Sequence, residues 1–475
     1  MRLRHPLSAV AGAVLLSVPW VAVFLTGTEL GTNATVLVSG VAVLGASFLL
    51  AWGAETAEKD VPRAFAIAVL AILAVAPEYA VDALYAWGAG AGGATTEACA
   101  ALAPEFVEQV SQLPDAAIDT PRERLADGCQ SANLAVANMT GANRILIGLG
   151  WAGIAALTVY KARQTEDPAV EHREGFLANT VHLDRDIATE ITFLFLATAW
   201  AFLVPLGGGI GALDFLILVG IYVVYIGIII RGDIETVEEH AGVPAYFQEF
   251  RRSIRVPTVL TLFGYSGFLI FTAVEPFAHG LEDIGTAIGV PSFFMIQWIA
   301  PLASESPELV VVAVLVYKAR STAGFNALIS SKLNQWTLLI GTLVVVYSIA
   351  LGGYGVLPFD RTQSAEIWIT AAQSFFALAI LVSFSISMRE AAALFVLFVS
   401  QVLIEFTFLR VWQPFAAPTE EVKYLLLLSY TAVYLVLGAA LLYRRRRRLR
   451  ELFELAAFAA RKAAGQQPVE PDHAD

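Results

Sequence analysis

The stretch "ASESPELVVVAVLVY", residues 303–317, decides how this chain is read. It sets Glu305 and Glu308 around Pro307, then continues as an apolar run. A second apolar run, "VPSFFMIQWIA" at 290–300, leads up to it. Together they are long enough as a helix to cross a hydrocarbon layer of roughly 30 Å. An ionised carboxylate at the centre of such a helix costs about 2.5–3.5 kcal/mol on insertion scales. Two of them call for a purpose.

The rest of the chain is equally apolar. Of 475 residues, 57% are hydrophobic and 15% charged, against about 25% charged in a soluble domain. Apolar segments recur near 7–27, 33–52, 64–87, 132–158, 190–206, 211–230, 256–277, 289–317, 325–351, 366–386, 390–410 and 423–443. In lipid the backbone must satisfy its own hydrogen bonds, so these segments are expected to be helices. The alternating pattern of a membrane barrel is absent. Arg2 and Arg4 precede the first segment as in a signal peptide, but no small-residue cleavage site follows, so it is read as a retained span.

Lys and Arg set the expected orientation. With the N-terminus inside, Lys59, Arg63, Lys161, Arg163, Arg231, Arg251, Arg252, Arg255, Lys318, Arg320 and Arg389 fall on the inner side, as does the tail "RRRRRLR" at 444–450. The outer side holds Arg122, Arg124, Arg361, Arg410 and Lys423. The expectation is a multi-pass protein of the cell membrane with both termini cytoplasmic. The tail reads as an amphipathic helix on the inner membrane surface. The net charge of −12 arises from acidic loops and tail, and fits either high-salt adaptation or ordinary loop solubility. Cys99 and Cys129 fall in one outer loop, 88–131, where a disulfide can persist; two unpaired thiols are the alternative.

The chain also echoes itself. "FLLAWGAE" (48–55) resembles "FLIFTAVE" (268–275), "APE" (76–78) resembles "SPE" (306–308), and "GANRILIGLGW" (141–151) resembles "KLNQWTLLIGT" (332–342), in the same order. By the charge rule the paired spans run in opposite directions. The expected fold is therefore an all-α polytopic membrane protein of about twelve transmembrane helices: two inverted five-helix repeats plus one extra helix at each end. The repeats span 33–230 and 256–410, a cytoplasmic linker spans 231–255, and 423–475 adds a helix and a basic tail. Inverted repeats of this kind hold a substrate near the midplane, where the halves meet.

Proline has no N–H and clashes with the carbonyl four residues back, and it biases the residue before it away from helix. Breaks are thus expected at Pro77 and Pro307, freeing the carbonyls of Leu73 and Ala303 beside Glu78 and Glu308. Free carbonyls and a carboxylate suit a hard cation. Each repeat adds one acid: Asp82 lies four residues after Glu78, and Glu305 three before Glu308. Clustered carboxylates in low dielectric need counter-ions to stay ionised, so protons and metal ions would compete there; Asp82 could instead be solvated at the outer mouth. The following span of each repeat brings polar groups, Asn138, Thr140 and Asn143 in the first, Ser330, Ser331, Asn334 and Gln335 in the second; these serve the site or simply join helices. Lys332 either snorkels to the inner surface or stands near the carboxylates as a tethered cation. Arg144 raises the same question.

At these residues the chain resembles the sodium/calcium exchanger family of the cation/Ca²⁺ antiporter superfamily. That family has two inverted five-helix repeats, each with a Thr-Ser-x-Pro-Glu-like helix followed by a Gly-Asn-x-x-Gly-Ser-Asn-like helix. "APEYAVDALYAW" with "ANMTGANRILIG", and "ASESPELVVVAVLVYKAR" with "ALISSKLNQWTLLIG", match these pairs over roughly 33–410. The resemblance implies that Glu78 and Glu308 are the central cation ligands, that Asn138 matches the first motif's asparagine, and that Ser330 or Ser331 matches it in the second. The Thr-Ser pair is replaced by Ala74-Val75 and by Ser304-Glu305, and Lys332-Leu333-Asn334 stands for Gly-Ser-Asn. The expected metal-site residues are Glu78, Glu308, Glu305, Asp82, Asn138, Ser330, Ser331 and Ser304, with the Leu73 and Ala303 carbonyls.

The implied function is secondary antiport, Ca²⁺ exchanged for Na⁺ by alternating access, with a cation/H⁺ antiporter as the alternative. Ca²⁺, Na⁺ and H⁺ enter as transported ions, and no cofactor is implied. A passive channel has no need of matched halves. An enzyme finds no support, since HExxH, GxSxG and Walker loops are absent and "GGGIGA" at 207–212 lies in a turn between spans.

Overall fold

Long apolar segments with few breakers fold here as packed helices. The structure, a computed structural model, describes residues 6–60, 76–110, 113, 118, 120–165, 167, 169–171, 173–231, 242–290, 292–317, 319–407 and 419–466. An N-terminal helix α1 (Pro6–Thr26) precedes the first repeat. That repeat comprises α2 (Thr32–Ala57), α3 (Ala76–Ala91), α4 (Pro121–Ile145) continuing into α5 (Ala152–Thr165), α6 (Ala188–Ala201) and α7 (Ala212–Arg231). The second comprises α8 (Arg252–Ala287), α9 (Ser292–Tyr317), α10 (Ser321–Asn334) continuing into α11 (Ile340–Leu351), α12 (Arg361–Leu381) and α13 (Met388–Thr407). Helices α14 (Thr419–Arg444) and α15 (Arg446–Ala463) follow. Among the described residues ten helical segments are long and apolar enough to cross a membrane. Helix α9 covers the expected span at 289–317, and of the one expected at 64–87 the described residues begin at 76, in α3; residues 64–75 lie outside them.

The repeats interlock. Helix α3 packs on α4 of its own repeat and on α11 of the other; α9 packs on α10 of its own and on α4 of the other. Helices α2 and α8, equivalent in the two repeats, lie along each other. The end helices are peripheral: α1 packs on α2, and α14 on α12. At the crossing of α4 and α9 the backbones nearly touch. A Cβ on Gly141 would stand 1.8 Å from the carbonyl oxygen of Gln297.

Two small sheets join loops that the charge rule puts on the same side. Strand β1 (Val170–Glu171) pairs with β2 (Thr180–His182), and β2 pairs with a Ser385–Ser387 strand of the second repeat. Both loops belong to the inner side of the expected topology. On the other face β3 (Gly209–Ile210) pairs with β4 (Leu357–Pro358). The glycine-rich "GGGIGA" is thus a strand-forming turn, with Gly208 in the left-handed region at φ 70°. Cys99 and Cys129, expected on this same face, form a disulfide, with Cα atoms 5.8 Å apart. The capping box at Thr120, whose side chain accepts from Glu123 N while Glu123 bonds back, starts α4 beside it. Helix α15 packs on α6 and α7; Arg185 pairs with Glu451 at 2.9 Å, and Leu452 is buried.

One expectation needs correcting. The helix does not break at Pro307: helical backbone runs without interruption from Ser292 to Tyr317. The proline removes one donor, but a helix wedged between α4, α8 and α10 is held by its neighbours. Ala303 therefore stays in helix rather than in an unwound segment. Leu73, the corresponding residue of the first repeat, lies outside the described residues.

The irregular backbone appears one helix later, where no proline marks it. A π-helical turn at Leu146–Trp151 joins α4 to α5, and another at Gln335–Leu339 joins α10 to α11. Both fall in the echoing motifs "GANRILIGLGW" and "KLNQWTLLIGT". A π-turn displaces the hydrogen-bond ladder by one residue and re-aims the side chains around it, and such turns gather at functional sites.

Candidate functional site

Helices α3 and α9 bring an acid from each repeat into contact. Glu78 stands in the first turn of α3 and Glu305 mid-way along α9; both are buried. Gln335, the first residue of the second π-turn, joins them. Its Nε2 donates to Glu78 Oε2 at 2.8 Å and to Glu305 Oε1 at 2.6 Å. The two carboxyl groups also lie within hydrogen-bonding reach of each other. Carboxylates that close need a proton or a cation between them.

The other expected residues form satellites of this centre. Asp82, one turn along α3 from Glu78, is fully buried rather than solvated at a mouth. Its Oδ1 accepts from Asn138 Nδ2 at 2.8 Å. Glu308 is half-buried and accepts from Ser331 Oγ at 2.8 Å. Asp82 and Glu308 are both in electrostatic range of Glu78. Of the two serines, Ser331 meets Glu308, whereas Ser330 lies against Tyr225 of the first repeat, whose hydroxyl donates to Glu190 at 3.1 Å. Ser304 turns its hydroxyl back to the carbonyl of Pro301 at 3.2 Å and serves its own helix. Thr140 does the same toward Val136 at 2.7 Å.

The polar atoms left over are informative. Glu78 Oε1, Asp82 Oδ2, Glu305 Oε2, Asn138 Oδ1 and Gln335 Oε1 are buried and accept no hydrogen bond from described residues. All are oxygens, and buried acceptors normally find a donor. An all-oxygen set of carboxylates and amides suits a hard cation such as Ca²⁺, and protons satisfy the same carboxylates. Among the described residues no three acidic, histidine or cysteine side chains converge into a ready-made metal cage. The carboxylates come in contact pairs with amides and hydroxyls, a looser arrangement.

Both uncertain cations are buried. Lys332 does not reach the inner surface; its Nζ donates to Asn143 Oδ1 at 2.6 Å and to Asn143 O at 3.2 Å. Arg144 belongs to a separate cluster. It pairs with Glu366 at 2.5 Å and bonds Gln401. Gln401 donates to Glu405 at 2.6 Å, and Lys423 of α14 lies 3.5 Å from Glu366 and 3.3 Å from Glu405. In the sequence echo Arg144 stands opposite Gln335, so equivalent positions do different work. Gln335 was visible in the sequence only as one of four polar residues, since nothing in its spacing singles it out.

Comparison with known proteins agrees with this architecture. The family model described as sodium/calcium exchanger protein matches residues 124–231 and 258–407. The crystal structure of an H⁺/Ca²⁺ exchanger, CAX, is 38% identical, covers 96% of this chain and 98% of its own, and superposes with a TM-score of 0.77. The Ca²⁺/H⁺ antiporter protein YfkE, at 13% identity, 84% and 99% coverage and a TM-score of 0.50, shares the fold. Among curated protein sequences none matches. A multi-pass helical membrane protein built of two inverted repeats, the chain belongs to the sodium/calcium exchanger family.

Proposed function

We propose that this chain is a secondary active antiporter that exchanges Ca²⁺ for H⁺ by alternating access. The observation that carries the reading is the Glu78–Gln335–Glu305 bridge. It sets one carboxyl of each repeat in contact at the seam between them, where one divalent ion or protons neutralise the pair. Asp82 with Asn138, and Glu308 with Ser331, extend the acidic surface on either side. The likeness to the H⁺/Ca²⁺ exchanger CAX supports the proton as coupling ion.

The family resemblance by itself favours Na⁺ as the driving ion. Two features lean toward H⁺ instead: Glu305 replaces a hydroxyl at the centre, and Lys332 replaces a small residue beside it. Both termini are assigned to the cytoplasm. The basic segments support this, as does the disulfide on the opposite face, where an oxidising environment would preserve it.

The test is Ca²⁺ flux in proteoliposomes under a pH gradient alone and a Na⁺ gradient alone. The expected result is uphill Ca²⁺ movement driven by the pH gradient. Flux that follows only the Na⁺ gradient would establish sodium coupling, and flux indifferent to both would overturn antiport.

A further inference from the structure

The bridging carboxyls have a charged neighbour that brings no acid of its own. Lys332 is wholly buried, and among the described residues its hydrogen bonds go to the two oxygens of Asn143, both neutral. The face of Trp336 lies under it, with Nζ 4.5 Å from the ring centroid. An ammonium has three donors and no acceptor. Here it meets two oxygens and a π-face, which is the coordination of a cation. Gln335 is three residues further along the helix, so the lysine and the bridging amide share one face.

The position is asymmetric. In the echo of "GANRILIGLGW" and "KLNQWTLLIGT", Lys332 stands opposite Gly141, which admits the backbone of α9. The second repeat thus has a fixed positive charge where the first has no side chain. Asn143 holds that charge from the first repeat, and its chain neighbour Arg144 is anchored to Glu366. The ammonium therefore sits at the seam between the repeats, as the bridging carboxyls do.

We propose that Lys332 is a resident cation that takes the place of one monovalent coupling ion and so excludes Na⁺ from the exchange, making it the residue that sets coupling specificity. Its tether keeps it from being transported, while its charge and volume occupy ground beside Glu78 and Glu305 that a sodium ion would otherwise fill. The inference rests on the Ca²⁺/H⁺ reading above and adds why Na⁺ takes no part.

Two variants remove the charge in different ways. Lys332→Gln deletes it. Asn143→Asp sets a carboxylate against Nζ and cancels it with almost no change of volume, so a packing defect at 332 does not decide the result. Purified full-length protein is tested for ²²Na⁺ binding, and proteoliposomes for Ca²⁺ flux with NaCl against choline chloride at constant pH. Wild type and Lys332→Arg should bind no Na⁺ and show no Na⁺ dependence. Both charge-removing variants should show saturable Na⁺ binding at concentrations at least about tenfold below the highest at which the wild type shows none, the least expected from a unit charge a few ångströms away in a partly screened interior. No gain in either variant overturns the proposal, as does Na⁺ binding by the wild type. Loss of pH-driven flux in the wild type would instead count against the Ca²⁺/H⁺ reading, leaving the binding comparison to judge the lysine.

Discussion

Arg144 of the first repeat and Glu366 of the second form a buried ion pair at 2.5 Å, and neither side chain reaches solvent. Gln401, Glu405 and Lys423 complete the cluster, and the ring of Trp298 lies 4.8 Å from the guanidinium. Two cations and two anions balance within it. Removing one partner strands a charge in low dielectric, which typically costs about 3–5 kcal/mol. Arg144→Ala and Glu366→Ala should each unfold at markedly lower temperature in detergent. The double variant Arg144→Met/Glu366→Met should be less damaged than either single change. A loss in the double variant as large as the sum of the two single losses would mean that the pair is not coupled.

Gly141 should tolerate nothing larger. A Cβ there meets the Gln297 carbonyl at 1.8 Å, and that carbonyl is backbone, unable to swing away. Gly141→Ala should push α4 and α9 apart, with a loss of about 1–3 kcal/mol from overpacking and a larger loss of Ca²⁺ flux. Wild-type melting and flux in that variant would contradict the close approach. Gly153, with open space around it, is the control position for the same substitution.

Gln335 links Glu78 and Glu305 through one amide nitrogen. Gln335→Ala removes the donor shared by the carboxyls and one of the unpartnered oxygens. Ca²⁺ affinity should fall at least about tenfold, or 1.4 kcal/mol, measured by equilibrium binding to the purified protein. Glu78→Gln and Glu305→Gln should each abolish pH-driven exchange. Full activity in either would remove that residue from the proposed site.

Arg255 grips Asp60 with two hydrogen bonds of 2.6 Å, tying the end of α2 to the start of α8. The guanidinium holds the Asp60 carboxyl below the usual aspartate range. A depressed folded pKa stabilises above the unfolded value of about 3.9. That contribution is lost only as pH falls through the folded value. Melting temperature should thus carry no Asp60-dependent change between pH 5 and 8, where Asp60→Asn lies below wild type by an amount worth about 1 kcal/mol. The gap should close only on strong acidification. A gap that closes near neutrality would assign the effect to another group.

The Cys99–Cys129 disulfide closes a loop with a sequence separation of 30. Chain-entropy arguments give such a closure about 3.6 kcal/mol. Cys99→Ser/Cys129→Ser should lower the melting temperature while leaving Ca²⁺ binding intact, because the bond lies away from the bridging carboxyls. A matching loss of affinity would show that the outer loop shapes the site.

Sequence and structure each decided different things. The apolar spans, their alternation across the membrane and the inverted halves were legible, because lipid imposes them locally: a helix needs its length, and basic residues stay on one side. Glu78 and Glu308, with Glu305 and Asp82 beside them, stood out for the same reason, as charges in apolar runs. Spacing could not show that Pro307 leaves its helix intact, since that depends on the neighbours packed around α9. Nor could it show which serine faces Glu308, or that Gln335 rather than Asn138 joins the central carboxyls. Those outcomes depend on helix phase, which the π-turn at Gln335–Leu339 resets, and on an opposing repeat more than two hundred residues away in the chain. The sequence by itself determined a membrane-spanning pair of repeats with acids at their seam. Only the tertiary structure decided that Lys332 remains buried beside those acids instead of reaching for water, because Asn143 and Trp336 meet it first.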